Sequence, residues 1–285
     1  MNNEIKTNKI IAIIFSKSRA MQLDCCLKTL YKQCQDVERI DISVLYTTTS
    51  EGHEKSYDIL EQTYLDVNFI KENNFKENLL EVIDNKTHVL FVVDDTIFID
   101  EFYVADMADA LTYCHNEYVL GASLRLGLNT TYCYPLNKDQ EVPELINGWY
   151  GLKKFDWTKA KYDFNYPLEI SSSFYRLKDL YSILETGNYN NPNELEYLLS
   201  INSVIFHKKY LLCYENSVAF SNPINKVQNV NKNKFAVEHS YSAEYLLSMF
   251  LDEFRIETTS FEDFMPHGCH EETELLFVKG ENKND

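Results

Sequence analysis

The chain has 285 residues, 45% apolar and 14% aromatic, which is enough to bury a substantial core in one large α/β domain or two small ones. Its 27 basic and 44 acidic side chains leave a net charge of −17, which argues against sequence-independent binding to nucleic-acid phosphates or anionic lipid surfaces. A nucleotide ligand stays open, because a metal ion can supply positive charge locally. The seven cysteines are odd in number and form no C-x-x-C pair, so neither a disulfide framework nor a structural zinc site is indicated. Cys269 with His267 and His270 is a ligand-like group, but no second cluster accompanies it. No apolar run reaches the length of a membrane span, and the start of the chain lacks the basic-then-apolar pattern of a signal peptide. The expectation is a cytoplasmic protein without a transmembrane segment.

In chain order, residues 9–15 are a continuous apolar run and predict a strand buried on both faces. After a polar corner at Ser16-Lys17-Ser18-Arg19, Met21, Leu23, Leu27 and Leu30 recur at helical spacing, predicting a helix to about Gln35. A strand from Ile40, a helix from about Gly52 to Tyr64, a short strand at Val67 and a helix over 75–83 then lead to a second buried strand, Val89 to Val93. Such β-α alternation predicts a doubly wound sheet with right-handed crossovers. No G-x-G-x-x-G follows the first strand and no G-x-x-x-x-G-K-[ST] occurs, which excludes the dinucleotide and P-loop versions of this layout.

The second buried strand runs directly into Asp94-Asp95. Ligands of open α/β sheets sit at the carboxyl ends of strands, and paired acids there suit a hard divalent cation shared with a substrate diphosphate. Ordinary turn chemistry, or the cap of a following helix, accounts for the same two residues.

Further on, a helix is predicted over 102–115 and a strand over 118–127 that carries Arg125 into a glycine turn. Residues 130–170 hold Trp149, Tyr150, Trp157 and three prolines, which favours short strands and loops. The aromatics there suit either stacking on a sugar or a core. Two helices follow, at about Leu177 to Glu185 and Glu194 to His207. A strand pair over 211–220, a polar loop from Asn222, a last helix at about Ala243 to Asp252 and an acidic tail complete the chain.

Four elements carry a family resemblance: Phe15 to Arg19 (F-S-K-S-R), Val93 to Phe98 (V-D-D-T-I-F), Ser123 to Gly127 (S-L-R-L-G) and Pro192 to Glu196 (P-N-E-L-E). In this order they resemble GT-A fold glycosyltransferases of a bacterial family 2-like, surface-polysaccharide type, over roughly residues 9–200. The resemblance implies an α/β, Rossmann-like, mostly parallel central sheet flanked by helices, with a mixed acceptor-side region. It implies a nucleotide-sugar-binding half over residues 1–128, an acceptor-binding and catalytic half over 129–257, and an acidic tail over 258–285.

The implied activity is metal-dependent transfer of a sugar from a nucleotide-sugar donor, UDP-sugar favoured, to a glycan or lipid-linked acceptor, with Mn2+ or Mg2+ as cofactor. Thr96 stands where the family often has a second, spaced aspartate, so Asp95 is the implied metal ligand and Asp94 a ribose or sugar contact. Tyr46-Thr47-Thr48-Thr49 stands where many relatives place an aspartate against the base, which leaves the base open and puts Thr47 on the nucleotide side. Ser16, Arg19, Lys76 and Arg125 complete the donor contacts, with Arg19 and Arg125 foremost against phosphate.

Displacement at the sugar needs a carboxylate to take the acceptor's proton. Glu194 and Glu196 open a helix in the place from which inverting relatives supply that base. Acids at a helix start also simply complement its dipole. Glu196, beside Leu195, Leu198 and Leu199, is the better placed of the two. A late histidine completes the metal shell in some relatives; His207, His239 and His267 are the candidates. Two rivals share the layout. A sugar-nucleotide pyrophosphorylase is expected to carry a Gly-rich loop after strand one, which is absent; a non-catalytic sugar-nucleotide-binding or scaffolding protein is not excluded. A homo-oligomer is left open.

Overall fold

The computed structural model describes residues 9–113, 119–206, 209–225 and 241–280. Its first half follows the alternation in the sequence: β1 (Ile10–Lys17), α1 (Ala20–Gln33), β2 (Ile40–Thr47), α2 (Glu51–Thr63), β3 (Val67–Lys71), α3 (Phe75–Val82) and β4 (His88–Val93). After β4 come β5 (Thr96–Phe98), α4 (Val104–Tyr113) and β6 (Val119–Ser123), then the short strands β7 (Tyr132–Cys133), β8 (Lys138–Asp139), β9 (Ile146–Asn147) and β10 (Lys153–Asp156). The remainder is β11 (Ser173–Arg176), α5 (Leu177–Thr186), α6 (Pro192–Asn202), β12 (Tyr210–Cys213), β13 (Ala219–Ser221), α7 (Ala243–Leu251), β14 (Phe254–Ile256) and β15 (Phe277–Lys279).

The central sheet has nine strands in the order β3-β2-β1-β4-β11-β6-β12-β10-β9. The strands β3, β2, β1 and β4 are mutually parallel, and β6 pairs in parallel with β12. Only β11 and β10 run against the rest. The sheet is thus mostly parallel, with a mixed half beyond β4, and it crosses residue 128 without a break.

The continuous apolar runs of β1 and β4 have a simple cause. Successive side chains point to opposite faces, and both faces are covered. Ile11, Ile13 and Phe15 with Val89 and Phe91 join a core formed with α3, α5 and α6. Ile10, Ala12 and Ile14 with Leu90 and Val92 join a second core under α1, α4 and α7. Truncating Phe91, which is fully buried, to Ala would cost about 3–5 kcal/mol.

Three sequence readings need correction. The helix expected from Phe102 starts at Val104, because Asp36, from the loop before β2, accepts hydrogen bonds from the N–H groups of Val104 and Ala105 at 2.8 and 2.9 Å. That cap satisfies two orphan donors of α4 from 68 residues away, beyond the reach of any local pattern. The strands over 211–220 do not pair with each other: β12 joins the main sheet, whereas β13 pairs antiparallel with β5. The helix expected over 194–207 spans Pro192–Asn202 and ends in a short 3-10 turn, Ser203–Ile205.

Residues 258–280, read from the sequence as a tail apart from the nucleotide half, pack back onto the molecule. Phe261, Cys269 and Leu275 are buried, and Asn222 Nδ2 donates to Thr273 Oγ1 at 2.6 Å. No helix among the described residues is long and apolar enough to cross a membrane.

Candidate active site

The strand order reverses direction between β1 and β4, and the crevice outside the carboxyl ends of these two strands is where the acidic motif emerges. β1 ends in Ser16 and Lys17, and Ser18 then takes a left-handed backbone at φ 53°. A non-glycine residue in that region is uncommon. Here the corner is pinned to the loop after β2: Ser18 N donates to the Thr47 carbonyl at 3.1 Å, and Thr49 N donates to Ser18 Oγ at 3.0 Å. The turn points Arg19 back over the sheet. Arg19 is also the N-cap of α1, where it makes no side-chain capping bond, so the helix start faces the crevice without an acid in its first turn.

Asp94 is held by a relay. The Arg19 N–H donates to Tyr57 Oη at 3.3 Å, Tyr57 bonds Ser16 Oγ, and Ser16 Oγ donates to Asp94 Oδ2 at 2.9 Å. Lys17 N adds a bond to the same oxygen at 3.2 Å. The Arg19 guanidinium closes the other side, with Nη1 at 3.0 Å from Asp94 Oδ1 and 3.1 Å from Asp95 Oδ2, and Nη2 donating to the Asn225 carbonyl. Tyr57, which sequence reading passed over, is fully buried and stacked on Tyr46 with ring centroids 4.4 Å apart.

Asp95 is the more accessible acid, its side chain 16% exposed against 5% for Asp94. Burial pushes its carboxyl up to about 6 against the pull of Arg19, with Asp94 adding to the rise. Behind both acids, between α1, β5 and the returning segment, lies a recess of about 10 Å³ lined by Gln22, Asn222, Ile256 and Leu275. It is too small for more than a single water. A groove of about 970 Å³ opens elsewhere, beside Ile11, Ile40 and Asn68 with Asp41, Asp66 and Asp84 on its rim. It gathers no strand-end cations and lies away from this chemistry.

Arg125 stands just after β6. Gly127, two residues on, lets the chain pass against the backbone of Asn216 and Ser217, where an added Cβ would fall 2.4 Å from Ser217 N. Arg125 is buried, and its Nη2 meets Glu169 Oε2 at 2.8 Å. Its Nη1 donates to Ser221 Oγ at 3.2 Å and lies 3.4 Å from His270 Nε2. Burial opposes the charge of Arg125, and Glu169 with its neighbours holds it protonated. Burial first and Arg125 second push the His270 imidazole down to about 3, so it is neutral, with Nδ1 buried and lacking a hydrogen-bond partner among the described residues.

Glu196 projects from the first half of α6, half-buried. Its Oε1 accepts from Ile170 N at 3.4 Å, and burial together with Glu169 pushes its carboxyl up to about 7. Glu194 is different. It is exposed, and Oε2 reaches back to Asn190 N at 2.8 Å while Asn191 Oδ1 accepts from Glu194 N, which makes it part of a helix cap. These bonds hold its carboxyl below the usual range.

The remaining expectations divide. Ser16, Arg19, Thr47, Asp94, Asp95 and Arg125 gather at the crevice. Lys76 does not: its Nζ donates to the Gly187 carbonyl at 2.7 Å and sits over the Tyr189 ring, tying α3 to the loop before α6. Trp157 is core, and Trp149 packs under Lys154. Tyr150 is exposed in a turn. His267 is exposed beside Glu271, while His207 and His239 lie outside the described residues. Cys269 is buried, its thiol donating to the Arg125 carbonyl at 3.6 Å.

Sequence reading missed Glu169 and Tyr57, since nothing local marks them, and it took His270 only as a companion of Cys269 and His267; a buried acid on a loop has no periodic signature. Among the described residues no three His, Cys, Asp or Glu side chains gather as a metal shell. A divalent ion that shares its coordination with phosphate and water needs only one or two carboxylates, so the hard oxygens of the acidic pair fit Mn2+ or Mg2+ arriving with a diphosphate.

No family model matches the chain. It is 30% identical over 261 residues to the bifunctional glycosyltransferase pgtA of Dictyostelium discoideum, covering 81% of this chain and 34% of that protein. The chain therefore spans about a third of the relative's length. Among solved structures, S. aureus TarS 1–349 in complex with UDP-GlcNAc aligns at a TM-score of 0.44 and 16% identity over 74% of this chain and 57% of that one. The Pyrobaculum calidifontis mannosyltransferase PcManGT, in complex with GDP-Man and Mn2+, aligns at a TM-score of 0.40 and 10% identity over 68% and 52%. With this sequence kinship over most of its length, the chain belongs to the glycosyltransferases.

Proposed function

We propose that the chain transfers a sugar from a nucleotide-sugar donor to an acceptor hydroxyl by single displacement, with inversion. The observation that carries this reading is the pair Asp94 and Asp95 at the carboxyl end of β4, bridged by Arg19 in the crevice between β1 and β4. Asp95 is the donor-side acid in this reading and the half-buried Glu196 the acceptor-side base.

Arg19, Arg125 and the open start of α1 supply positive potential for the donor diphosphate. Asp95 would hold Mn2+ or Mg2+, which supplies Lewis-acid neutralisation of the leaving diphosphate when bound. The Arg19 side chain would then exchange Asp95 for phosphate oxygens, and Asp94, fixed by Ser16 and Lys17, would keep the crevice in shape. Glu196 takes the proton of the acceptor hydroxyl as it attacks. With its carboxyl near 7 it is strong enough to accept that proton and is ionised in a useful fraction of molecules at neutral pH. The donor with a uracil base is favoured, and the acceptor is a glycan or lipid-linked sugar of the surface-polysaccharide kind that the sequence resemblance implies. The chain divides the work, residues 1–128 binding the donor and 129–257 the acceptor.

The test is calorimetric titration of UDP and GDP with and without Mn2+, followed by donor hydrolysis and transfer assays on the wild type, Asp95→Asn and Glu196→Gln. Metal-supported binding that Asp95→Asn loses, together with turnover that Glu196→Gln loses, supports the reading. Nucleoside diphosphate binding indifferent to Mn2+ and to Asp95→Asn removes the metal site, and binding without any turnover favours a non-catalytic binding protein.

A further inference from the structure

One phenol hydroxyl joins the start of α1 to Asp94, and the direction of its proton is fixed by its neighbours. Tyr57, on α2, is fully buried, and its ring stacks on Tyr46 with centroids 4.4 Å apart. Its Oη accepts from Arg19 N at 3.3 Å, one of the amides that a helix start leaves without an intrahelical partner. Ser16 Oγ has a single proton, which goes to Asp94 Oδ2 at 2.9 Å, so in the bond between Tyr57 and Ser16 the tyrosine is the donor. Every proton of the relay therefore points toward Asp94. We propose that Tyr57 is a positioning residue of the donor site: its one hydroxyl fixes the start of α1 and the Asp94 carboxylate relative to each other, so that nucleotide and metal meet a preformed crevice. Its bearing on transfer rests on the reading of this crevice as the donor site.

A phenylalanine at this place would keep the ring packed on Tyr46 and lose both bonds of the hydroxyl. The consequence falls on Asp94, whose Oδ2 accepts from Ser16 Oγ at 2.9 Å and Lys17 N at 3.2 Å, and whose Oδ1 accepts from Arg19 Nη1 at 3.0 Å. When the Arg19 side chain turns to a diphosphate, as the proposed function requires, Ser16 and Lys17 are left to hold the acid. Ser16 stays turned toward Asp94 because Tyr57 donates to its oxygen from the other side; without that donor the hydroxyl is free to rotate. A carboxylate held in its binding geometry beforehand binds more tightly, since less freedom is lost when the ligand arrives.

The first measurement needs no ligand. Lys17 N donates to Asp94 Oδ2, so hydrogen exchange of this amide, read by NMR, reports whether the carboxylate stays in place. In Tyr57→Phe the Lys17 exchange rate, taken relative to the core amide of Ile13, should rise about tenfold. Tyr64→Phe is the control, because it removes a phenol bond between the end of α2 and α1 outside the crevice, from Tyr64 Oη to Asp24 Oδ1 at 2.9 Å, and it should leave the Lys17 ratio as in the wild type. The second measurement is calorimetry of UDP and of GDP with Mn2+. The diphosphate that the wild type binds should bind Tyr57→Phe ~10–100-fold more weakly, the usual worth of a group that orients a ligating side chain, and Tyr64→Phe within about twofold. A Lys17 ratio unchanged in Tyr57→Phe overturns the proposal, and so does wild-type nucleotide affinity in that variant. An equal loss in Tyr64→Phe also overturns it, since general packing would then be the cause. If Tyr57→Phe does not fold, the wild type still decides: Arg19 and Lys17 amides that exchange as freely as in an unfolded chain overturn the proposal, and protected ones support it. A wild type that binds neither diphosphate with Mn2+ defeats the proposed function alone, and the Lys17 amide then decides whether Tyr57 holds Asp94.

Discussion

Arg19 Nη1 lies 3.1 Å from Asp95 Oδ2, and the same nitrogen meets Asp94 at 3.0 Å, so one cation already sits where a metal ion would approach the outer acid. A buried charge pair of this kind is costly to break unless the released group finds a new partner. A diphosphate is such a partner for arginine. Metal and nucleotide should therefore bind together. Arg19→Met should bind Mn2+ alone more tightly than the wild type, yet bind nucleoside diphosphate with Mn2+ at least about tenfold more weakly, a charge-assisted contact being worth about 1.5–3 kcal/mol. Calorimetry with the metal alone and with UDP plus metal checks both; unchanged Mn2+ affinity in the variant would show that Arg19 does not compete.

The two acids should respond differently to amide substitution. Asp94 accepts from Ser16 Oγ, Lys17 N and Arg19, so Asp94→Asn loses part of a buried network and should lower stability by about 1–3 kcal/mol in a denaturant melt. Asp95→Asn keeps size and loses one ion pair, so the fold should survive while metal-supported nucleotide binding is lost. Equal destabilisation by the two would contradict the division of roles.

Glu196→Gln should reduce transfer by ~10²–10⁴-fold with little effect on donor affinity, the usual worth of a general base. Glu194→Gln should leave transfer within about twofold and cost at most ~1 kcal/mol of stability, since it weakens a cap and touches nothing in the cleft. Single-turnover rates on a donor and acceptor pair separate the two.

The raised carboxyl of Glu196 also predicts a stability profile. Its folded value of about 7 lies above the ordinary value, so the stability it contributes is complete below about 4 and is lost as pH rises through 7. Glu196→Gln removes that loss. Its Tm should match the wild type near pH 4 and exceed it at pH 8, by roughly 2–4 °C for each kcal/mol recovered. A Tm difference that does not change with pH would mean that Glu196 is not held in its neutral form by the fold.

Truncation after Ile256 tests the returning segment. It removes Phe261, Cys269 and Leu275 from the core, along with the Cys269 bond to the Arg125 carbonyl. Each fully buried apolar side chain contributes about 1.5–3 kcal/mol, so the shortened chain should melt far lower or fail to fold. A truncated chain that is folded, melts like the full one and binds nucleotide would show that residues 258–280 are accessory.

The sequence alone determined the parallel half of the sheet, from β1 through β4, because a strand buried on both faces must be apolar at every position and amphipathic helices repeat every 3.6 residues. It also placed Asp94 and Asp95 at the end of β4 and Arg19 at the end of β1, since the βα alternation fixes which strand ends face the crevice. The partial burial of Glu196 and the exposure of Glu194 follow from the same helical periodicity. Tertiary structure alone decided the rest. Asp36 capping α4, Tyr57 completing the relay to Asp94, Glu169 claiming Arg125, and Leu275 closing the recess behind the acids are contacts between residues 38 to 181 positions apart. Lys76 marks the same limit from the other side: a lysine near a strand end reads as a phosphate ligand, but packing of α3 against the loop before α6 turned it to the Gly187 carbonyl. Local patterns report which face of an element is buried. Which charged groups meet across that burial is set by how the elements stack, because a buried charge takes the partner within reach and that partner is chosen in three dimensions.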